Sequence, residues 1–181
     1  MMKPVVYHSK KNHRFIIRPM EAGDARALLV FANALIAEDT FVMLSGKKMT
    51  LKEETAYVKE GLKRMKKNEK IRLVVVSGKE IIGSAEIRRG EKRKRHVGEL
   101  GISILKSYRR EGIGKTLMEM LIAQGQRLGL RMLMLHCFEN NIPALSLYKT
   151  CGFIPCGLLP QALQYHGAYV GEVTLYKCLY W

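Results

Sequence analysis

The spacing of the hydrophobic residues indicates that two helices come early in the chain. Between Asp24 and Asn68, apolar residues recur at three- and four-residue intervals, which is the period of an amphipathic helix. The first predicted helix opens at Asp24 and has one apolar face, made of Leu28, Phe31, Ala32, Leu35 and Ile36. The second opens at a capping box, residues 50–53, and has Val58, Leu62 and Met65 on one face.

Around these helices the pattern is typical of strands. A short β-rich run, residues 15–18, precedes the first helix and ends at Pro19. Three further runs follow the second helix, at residues 71–77, 81–87 and 97–105. A tight turn at 77–79 joins the first two of them, and a basic segment at 88–95 leads to the third. Short links of this kind predict an antiparallel meander.

The last third of the chain alternates between the two periods. It contains a helix that closes at Gly129, a strand at 132–138, a short helix capped by Asn140 or Asn141, and strands at 153–158 and 169–179. No repeat or linker interrupts the order β-α-α-β-β-β-α-β-α-β-β. We therefore predict a single α/β domain over residues 1–181 with a mixed, mostly antiparallel sheet, in which residues 1–14 are either flexible or an additional strand.

Composition and charge narrow the class of protein. With 181 residues, 48% of them hydrophobic and 26% charged, the chain fits one globular domain. The net charge is +15, which favours anionic partners such as phosphorylated cofactors, nucleic acid or acidic proteins. The four cysteines lack zinc-site spacing, so we expect neither a metal nor disulfides. The N-terminus has no apolar signal segment, and the longest apolar stretch, 28–37, is too short to span a bilayer, so we expect a cytoplasmic protein.

Two closely spaced glycines give the first indication of chemistry. A predicted strand, residues 99–105, leads through a basic turn to Gly112 and Gly114 and then into a helix. Backbone N–H groups at such a helix start form an anion site suited to a pyrophosphate. Two other phosphate-binding motifs fail, because Arg109 replaces the first glycine of a Walker A loop and Leu117 the third glycine of the dinucleotide motif.

The motif that does fit is Arg-x-x-Gly-x-Gly at residues 109–114. It resembles the acyl-CoA pyrophosphate loop of the GNAT superfamily of N-acetyltransferases. Residues 141–153 resemble that superfamily's N-x-x-A-x-x-L-Y-x-x-x-G-F signature. The resemblance extends over residues 15–179 and implies a three-layer domain with helices on both sides of the sheet. It also implies an enzyme that is a monomer or homodimer and moves the acetyl group of acetyl-CoA to a primary amine.

The same resemblance assigns the cofactor contacts. The loop and the start of the helix would hold the diphosphate, the preceding strand would pair with the pantetheine arm, and the short helix would contact that arm from the other side. The residues so implied are Ile102, Ser103, Ile104, Arg109, Arg110, Glu111, Gly112, Ile113, Gly114, Lys115, Thr116, Asn141, Ala144 and Tyr148.

Amine acetylation needs a base for the ammonium and an acid for the departing thiolate. The resemblance places Tyr148 at the position of the general acid. Glu99 and Glu86 are the candidate bases, and a water chain is an alternative to both. A covalent route through Cys137, activated by His136, is disfavoured because adjacent strand residues point to opposite faces.

The acceptor amine is the least determined feature. In this superfamily its pocket lies between the first helices and the last strands, which here implies Glu38, Asp39, Tyr169 and Glu172, with neighbours Thr40, Phe41, Tyr165 and His166. Residues 167–173 look like the closing strand of the small-molecule branch that includes phosphinothricin-type acetyltransferases, with Gly171 where that branch often has Asp.

Two alternatives stay open. One is acetylation of a protein N-terminus or lysine. The other is a module that binds nucleic acid or an acidic partner through the basic segment 88–95, although this segment has no aromatic residues for base stacking. We expect nucleic acid not to be a partner.

Overall fold

The computed structural model describes residues 2–9 and 11–179. Its strands are β1 Val5–His8, β2 Arg14–Pro19, β3 Lys70–Ser77, β4 Glu80–Arg89, β5 Val97–Ile104, β6 Met132–Phe138, β7 Ile154–Tyr165 and β8 Ala168–Cys178. Its α-helices are α1 Ala25–Glu38, α2 Leu51–Lys66, α3 Ile113–Arg127 and α4 Ile142–Thr150. No helix formed by these residues is both long and apolar enough to cross a lipid bilayer.

The strands form one sheet in the order β1-β2-β3-β4-β5-β6-β8-β7. Strands β5 and β6 run parallel, and the other neighbours are antiparallel. This arrangement confirms the mixed, mostly antiparallel sheet. It also shows that the N-terminal segment forms a strand, since Val5 and His8 pair with Ile17 and Arg14.

Two hydrophobic cores lie on opposite faces of the sheet. Alternation along β3 separates them, because Val74 packs under α1 and α2 while Leu73 and Val75 pack under α3. The first core includes Leu28, Phe31 and Leu35 of α1, and the second includes Leu117, Met118 and Leu121 of α3. The chain therefore forms the three layers that the family resemblance implied.

The sheet opens in the middle, where β5 and β6 diverge. The two strands pair only at Val97–Met132, Gly98–Leu133 and Glu99–Met134. Beyond Glu99, the edge of β5 from Leu100 to Ile104 pairs with no described residue on the β6 side. An unpaired strand edge inside a sheet leaves room for a ligand that pairs as a strand would.

The helix caps follow the sequence with one exception. The Thr50 hydroxyl accepts from Glu53 N–H at the start of α2, and the Asn141 side chain accepts from Ala144 N–H at the start of α4. Asp24 precedes α1 as predicted, but its carboxylate instead accepts from Glu21 N–H and from both terminal nitrogens of Arg18, at 2.7 and 2.8 Å. Strand β7 extends to Tyr165, seven residues beyond its predicted end, because residues 159–165 pair with β8 across an irregularity in the register.

Candidate active site

A cleft of about 860 Å³ opens where β5 and β6 diverge. Its walls are the free edge of β5, the end of β6, the first residues of α3, the inner face of α4, and the segment that joins α1 to α2. Two hydrogen bonds between Asn33 and Met49, at 2.8 and 3.1 Å, fasten that joining segment to α1. The divergence of the sheet opens the cleft, and the fastened α1–α2 segment closes one of its sides.

One end of the cleft carries free backbone donors. The N–H groups of Gly112, Ile113, Gly114 and Lys115 donate to no acceptor among the described residues, and the helical ladder starts with Thr116 N–H to Gly112 C=O at 3.2 Å. All four residues line the cleft. Unpaired donors at a helix N-terminus favour a bound anion, so the loop fits a diphosphate.

The spacing of Gly112 and Gly114 in the sequence predicts the close approach of a ligand. The structure shows a further, steric reason for a glycine at each position. Gly112 has φ +86°, and a Cβ there would overlap the hydroxyl of Tyr7. A Cβ on Gly114 would lie 3.0 Å from Leu147 Cδ2 and 3.7 Å from Ile104 Cδ1. The absent Cβ atoms thus let α3 approach the N-terminal strands and α4, and this close packing shapes the anion site.

Most of the predicted cofactor residues line the cleft, and two do not. The cleft is lined by Ile102, Ser103, Ile104, Arg109, Arg110, Gly112, Ile113, Gly114, Lys115, Asn141, Ala144 and Tyr148. Glu111 instead turns its buried side chain toward His13, with Nδ1 to Oε2 at 3.0 Å. Thr116 lies one turn into α3, with its hydroxyl 3.4 Å from Gly112 C=O.

Tyr148 lines the cleft from α4 with its ring buried in the core. Its hydroxyl hydrogen-bonds to no described residue. Burial raises the pKa of Tyr148 well above its usual value of 10, and nearby Cys137 and Cys151 add to the shift. The phenol therefore keeps its proton at neutral pH, as a proton donor requires.

Cys137 is buried and lines the same cleft. Burial raises the pKa of its thiol to about 11, so the nucleophilic thiolate is scarce at neutral pH. His136 also lines the cleft, but from the face of the strand opposite to Cys137, with Nδ1 3.2 Å from the Thr174 hydroxyl and 3.7 Å from Glu172 Oε2. This geometry is that expected from strand alternation and gives Cys137 no base.

Glu86 lies on the cleft floor inside a cluster of cations. Lys70 Nζ is 2.9 Å from Oε2, Arg72 Nη1 is 3.6 Å from the same oxygen, and Arg88 Nε is 3.5 Å from Oε1. Burial by itself raises the pKa of the Glu86 carboxyl. The three cations lower this pKa by more than burial raises it, so the net shift is downward. A carboxylate held in this way is a weak base.

Glu99 lies on the same face of the sheet and also lines the cleft. It reaches this position without a bulge, because β4 and β5 pair in continuous register from Gly83–Ile104 to Arg89–Gly98. Its carboxylate accepts one hydrogen bond, from Arg88 Nη2 at 2.7 Å, and is 42% exposed. Of the two candidate carboxylates, Glu99 is the one with free acceptor capacity.

The structure separates the predicted acceptor residues. Glu172, Thr40 and Phe41 line the cleft, and Phe41 stacks on Tyr165 with ring centroids 4.6 Å apart. Glu38 and Asp39 do not line it.

Asp39 ends α1 in a left-handed conformation, with Oδ2 3.8 Å from His166 Nε2. Tyr169 is 68% exposed on the outside of β8. Strand alternation explains this position, since Tyr169 lies three residues from Glu172 and faces away from the cleft.

The sequence interpretation missed two charged residues on the cleft wall. Glu54 of α2 is only 3% exposed, and its carboxylate accepts no hydrogen bond from a described residue. Burial raises its pKa. Arg72 of β3 donates to the Ser84 hydroxyl at 3.2 Å and lies over the Tyr57 ring. The sequence did contain a signal for Arg72, since it is the charged residue within the apolar run 71–77. A charged side chain in a buried strand rarely lacks a partner.

Metal ligation has no support among the described residues, where no group of three or more His, Cys, Asp or Glu side chains could hold an ion. The cleft combines an anion site, a free strand edge, a protonated phenol and four carboxylates, those of Glu54, Glu86, Glu99 and Glu172.

Solved structures share this architecture. A GNAT-family acetyltransferase from Streptococcus pneumoniae is 28% identical, with a TM-score of 0.82 over 91% of this chain and 99% of that one. A ribosomal-protein-alanine N-acetyltransferase from Brucella melitensis is 24% identical (TM-score 0.78; 90% of this chain, 98% of that one). The yncA protein of Salmonella typhimurium, solved with its cofactor acetyl-CoA, is 17% identical (TM-score 0.79; 91% and 94%). At identities below 25%, the likeness concerns the fold alone.

No curated protein matches the chain significantly. The Acetyltransferase (GNAT) family model, in contrast, matches residues 37–153, which include the free edge of β5, the anion site and Tyr148. Because this match covers well over half of the chain and agrees with the fold and the cleft, the chain belongs to the GNAT family of acetyltransferases.

Proposed function

We propose that this protein transfers the acetyl group of acetyl-CoA directly to a primary amine of a small molecule or peptide. The observation that carries the proposal is the convergence, in one cleft, of four free N–H groups at the start of α3, the unpaired edge of β5 and the protonated Tyr148. Each feature suits a different part of this donor: the diphosphate, the amide-bearing arm and the sulfur.

The donor side follows from the backbone. The N–H groups of residues 112–115 would hold the diphosphate, with the Lys115 ammonium adding positive charge. The free edge of Ile102–Ile104 would pair with the amides of the pantetheine arm, and Asn141 and Ala144 would cover that arm from α4. Acetyl-CoA supplies an activated acetyl thioester when it is bound.

The residues of the chain then handle two protons. Tyr148 would donate its phenolic proton to the departing sulfur, because burial keeps this phenol neutral and its hydroxyl has no competing acceptor among the described residues. Glu99 would accept the proton of the incoming ammonium, directly or through water. It is preferred to Glu86 because three cations already surround Glu86.

The acceptor would enter on the face covered by α1 and α2. This part of the cleft combines apolar residues (Phe31, Leu35, Met43 and Met49) with the carboxylates of Glu54, Glu99 and Glu172. The combination suits an amine with an apolar body. A peptide N-terminus would satisfy the same chemistry, so a protein acceptor is the second candidate, for which Phe41 offers an aromatic contact on the cleft wall.

The test is an acceptor screen. Purified protein with acetyl-CoA should release free CoA thiol on addition of a suitable amine from a panel of amino acids, polyamines, aminoglycosides and short peptides. Acetyl-CoA without any amine is the control for hydrolysis. Mass spectrometry should show an increase of one acetyl group on the amine.

A binding measurement separates this proposal from the binding-module alternative. Acetyl-CoA should raise the melting temperature of the protein, and a duplex oligonucleotide should not. Stabilisation by the oligonucleotide, with no response to acetyl-CoA and no thiol release with any amine, would refute the enzymatic proposal.

A further inference from the structure

The N-terminal hairpin, formed by the pairing of β1 with β2, contacts the back of the anion site. The Tyr7 hydroxyl donates to the backbone carbonyl of Glu111 at 2.9 Å, across 104 positions of sequence. The rings of Tyr7 and Phe15 stack at 6.5 Å, and Phe15 meets Tyr108 edge-on at 5.9 Å. The hairpin therefore touches the chain both at Tyr108, just before the loop, and at Glu111 within it.

A second contact involves the Glu111 side chain. This carboxylate is 1% exposed and lies on the side of the loop away from the cleft. His13 Nδ1 lies 3.0 Å from Oε2 and 3.3 Å from Oε1, and the neighbouring Ser9 hydroxyl and His13 lower the pKa of this carboxyl. Ser9 Oγ in turn accepts from the N–H groups of Lys11 and His13, both at 3.2 Å, which links the residue after β1 to residues just before β2.

The backbone of the loop shows why such contacts matter. Arg110 and Gly112, on either side of Glu111, both have positive φ, +65° and +86°. Arg110 is not a glycine, so this conformation is strained and persists only where surrounding contacts impose it. The Tyr7 hydroxyl holds the Glu111 carbonyl on the hairpin side, while the N–H groups of residues 112–115 remain unpaired on the cleft side.

We propose that Tyr7 and Glu111 are positioning residues, which hold the loop in the conformation that binds the diphosphate before the donor arrives. The inference rests on the proposed use of acetyl-CoA. The hairpin residues that make these contacts, Tyr7, Ser9 and His13, lie outside residues 37–153, which the family model matches, whereas Glu111 lies inside them. Pre-organisation of this kind improves affinity because the ordering of the loop is complete before binding.

The experiment compares two acetyl donors that differ in the diphosphate. Acetyl-CoA contains the diphosphate, and S-acetylpantetheine lacks it. KM and kcat for each donor would be measured with the best amine from the acceptor screen, in the wild type, Tyr7→Phe and Glu111→Gln. Tyr176→Phe, on β8 and outside the cleft, is the matched control for loss of a tyrosine hydroxyl.

Tyr7→Phe removes one hydrogen bond and retains the ring stacking, so the KM for acetyl-CoA should rise about fivefold. Glu111→Gln removes the negative charge from the contact with His13. The KM of this variant for acetyl-CoA should therefore rise about tenfold or more. In both variants kcat at saturating acetyl-CoA and the KM for S-acetylpantetheine should stay within about twofold of wild type. Calorimetry with CoA should show the same loss of affinity.

Equal changes for the two donors, or unchanged affinity for acetyl-CoA in both variants, would overturn the positioning role. If Glu111→Gln fails to fold, Tyr7→Phe decides alone, because it deletes a single oxygen. A wild-type protein that neither binds CoA nor transfers acetyl groups would refute the proposed function itself. If the wild type binds CoA and Tyr7→Phe binds it equally well, only the positioning role is refuted.

Discussion

The Glu38 carboxylate accepts a hydrogen bond from Arg109 Nη2 at 2.6 Å and another from Lys106 N–H at 2.8 Å. Arg109 also donates through Nε to the Ile104 carbonyl, at 2.8 Å. The end of α1 is thereby joined to the turn between β5 and the anion site. The sequence interpretation assigned Glu38 to the acceptor and Arg109 to the cofactor, whereas the structure pairs the two charges with each other.

Gly114 offers the sharpest test of the anion site. A valine side chain at this position would press on Leu147 and Ile104 next to the free N–H groups, and overpacking of this kind costs about 1–3 kcal/mol. We expect Gly114→Val to weaken acetyl-CoA binding by about tenfold or more, measured by calorimetric titration. Gly157→Val is the matched control, because a Cβ there meets no atom within 4 Å. If Gly114→Val binds acetyl-CoA with wild-type affinity, the loop is not part of the acetyl-CoA site.

Tyr148→Phe tests the general acid. The substitution removes the hydroxyl and keeps the buried ring, so the melting temperature and the affinity for acetyl-CoA should change little. General acid–base groups typically contribute ~10²–10⁴-fold to the rate, and kcat should fall by a factor in this range. Wild-type kcat would show that Tyr148 is an aromatic residue of the core and nothing more.

Glu99→Gln tests the base. The amide keeps the size of the side chain but cannot accept a proton, so kcat near neutral pH should fall about 10²-fold or more. The remaining activity should rise with pH, because the amine then loses its proton to solvent. A variant with the wild-type pH–rate profile would favour deprotonation through a water chain that does not involve Glu99.

Glu86 and Glu54 should affect stability in opposite directions at pH 7. The pKa of Glu86 is lowered in the folded state, so its contribution is present at neutral pH and is lost as the pH falls below about 4.5, its usual value. Glu86→Gln also leaves the buried Lys70 without its carboxylate and should lower the free energy of unfolding by about 3 kcal/mol at pH 7.

The pKa of Glu54 is raised by burial, so its charged form opposes folding at neutral pH. Glu54→Gln should therefore raise the free energy of unfolding at pH 7 and have little effect at pH 3, where the carboxyl is protonated in both states. Urea unfolding at pH 7 and pH 3 measures both variants. A loss of stability in Glu54→Gln at pH 7 would contradict the inference that burial makes the charged form of Glu54 unfavourable in the folded state.

Substitutions in the basic segment distinguish an acetyltransferase from a protein that binds polyanions. Lys92, Arg93, Lys94 and Arg95 are exposed and precede β5, whereas the anion site follows it, roughly 23 Å away along the strand. Screening over ~8 Å at physiological salt makes the charge of this segment weak at the cleft. Replacing all four residues with Gln should leave acetyl transfer to a small amine nearly unchanged.

We expect the wild type to show no complex with duplex DNA or RNA that persists at physiological salt. The measurement is a gel-shift or fluorescence titration over a range of salt concentrations. A wild-type complex that persists and disappears in the Gln variant would contradict this expectation, and the slope of log affinity against log salt would count the phosphate contacts.

Local features of the sequence determined most of the architecture. The capping box at Thr50 starts α2, Asn141 caps α4, and the strand periods gave the antiparallel meander β3–β4–β5. These features depend on neighbours within four residues or on side-chain alternation, both of which are readable along the chain. The same holds for the anion site, since a strand, two glycines and a helix start are consecutive in sequence.

Which of the charged side chains remain unpaired depends on the packing of elements that are distant in sequence. The tertiary structure paired Glu38 with Arg109 and enclosed Glu86 among three cations. It also turned Glu111 toward Ser9 and His13 and left Glu54 buried without a hydrogen-bond partner among the described residues. Such pairings join residues tens of positions apart, and their strength depends on burial and on distances of a few ångströms. Residue types and spacing identify the groups that can react, but the packing of distant elements determines which of them remain available.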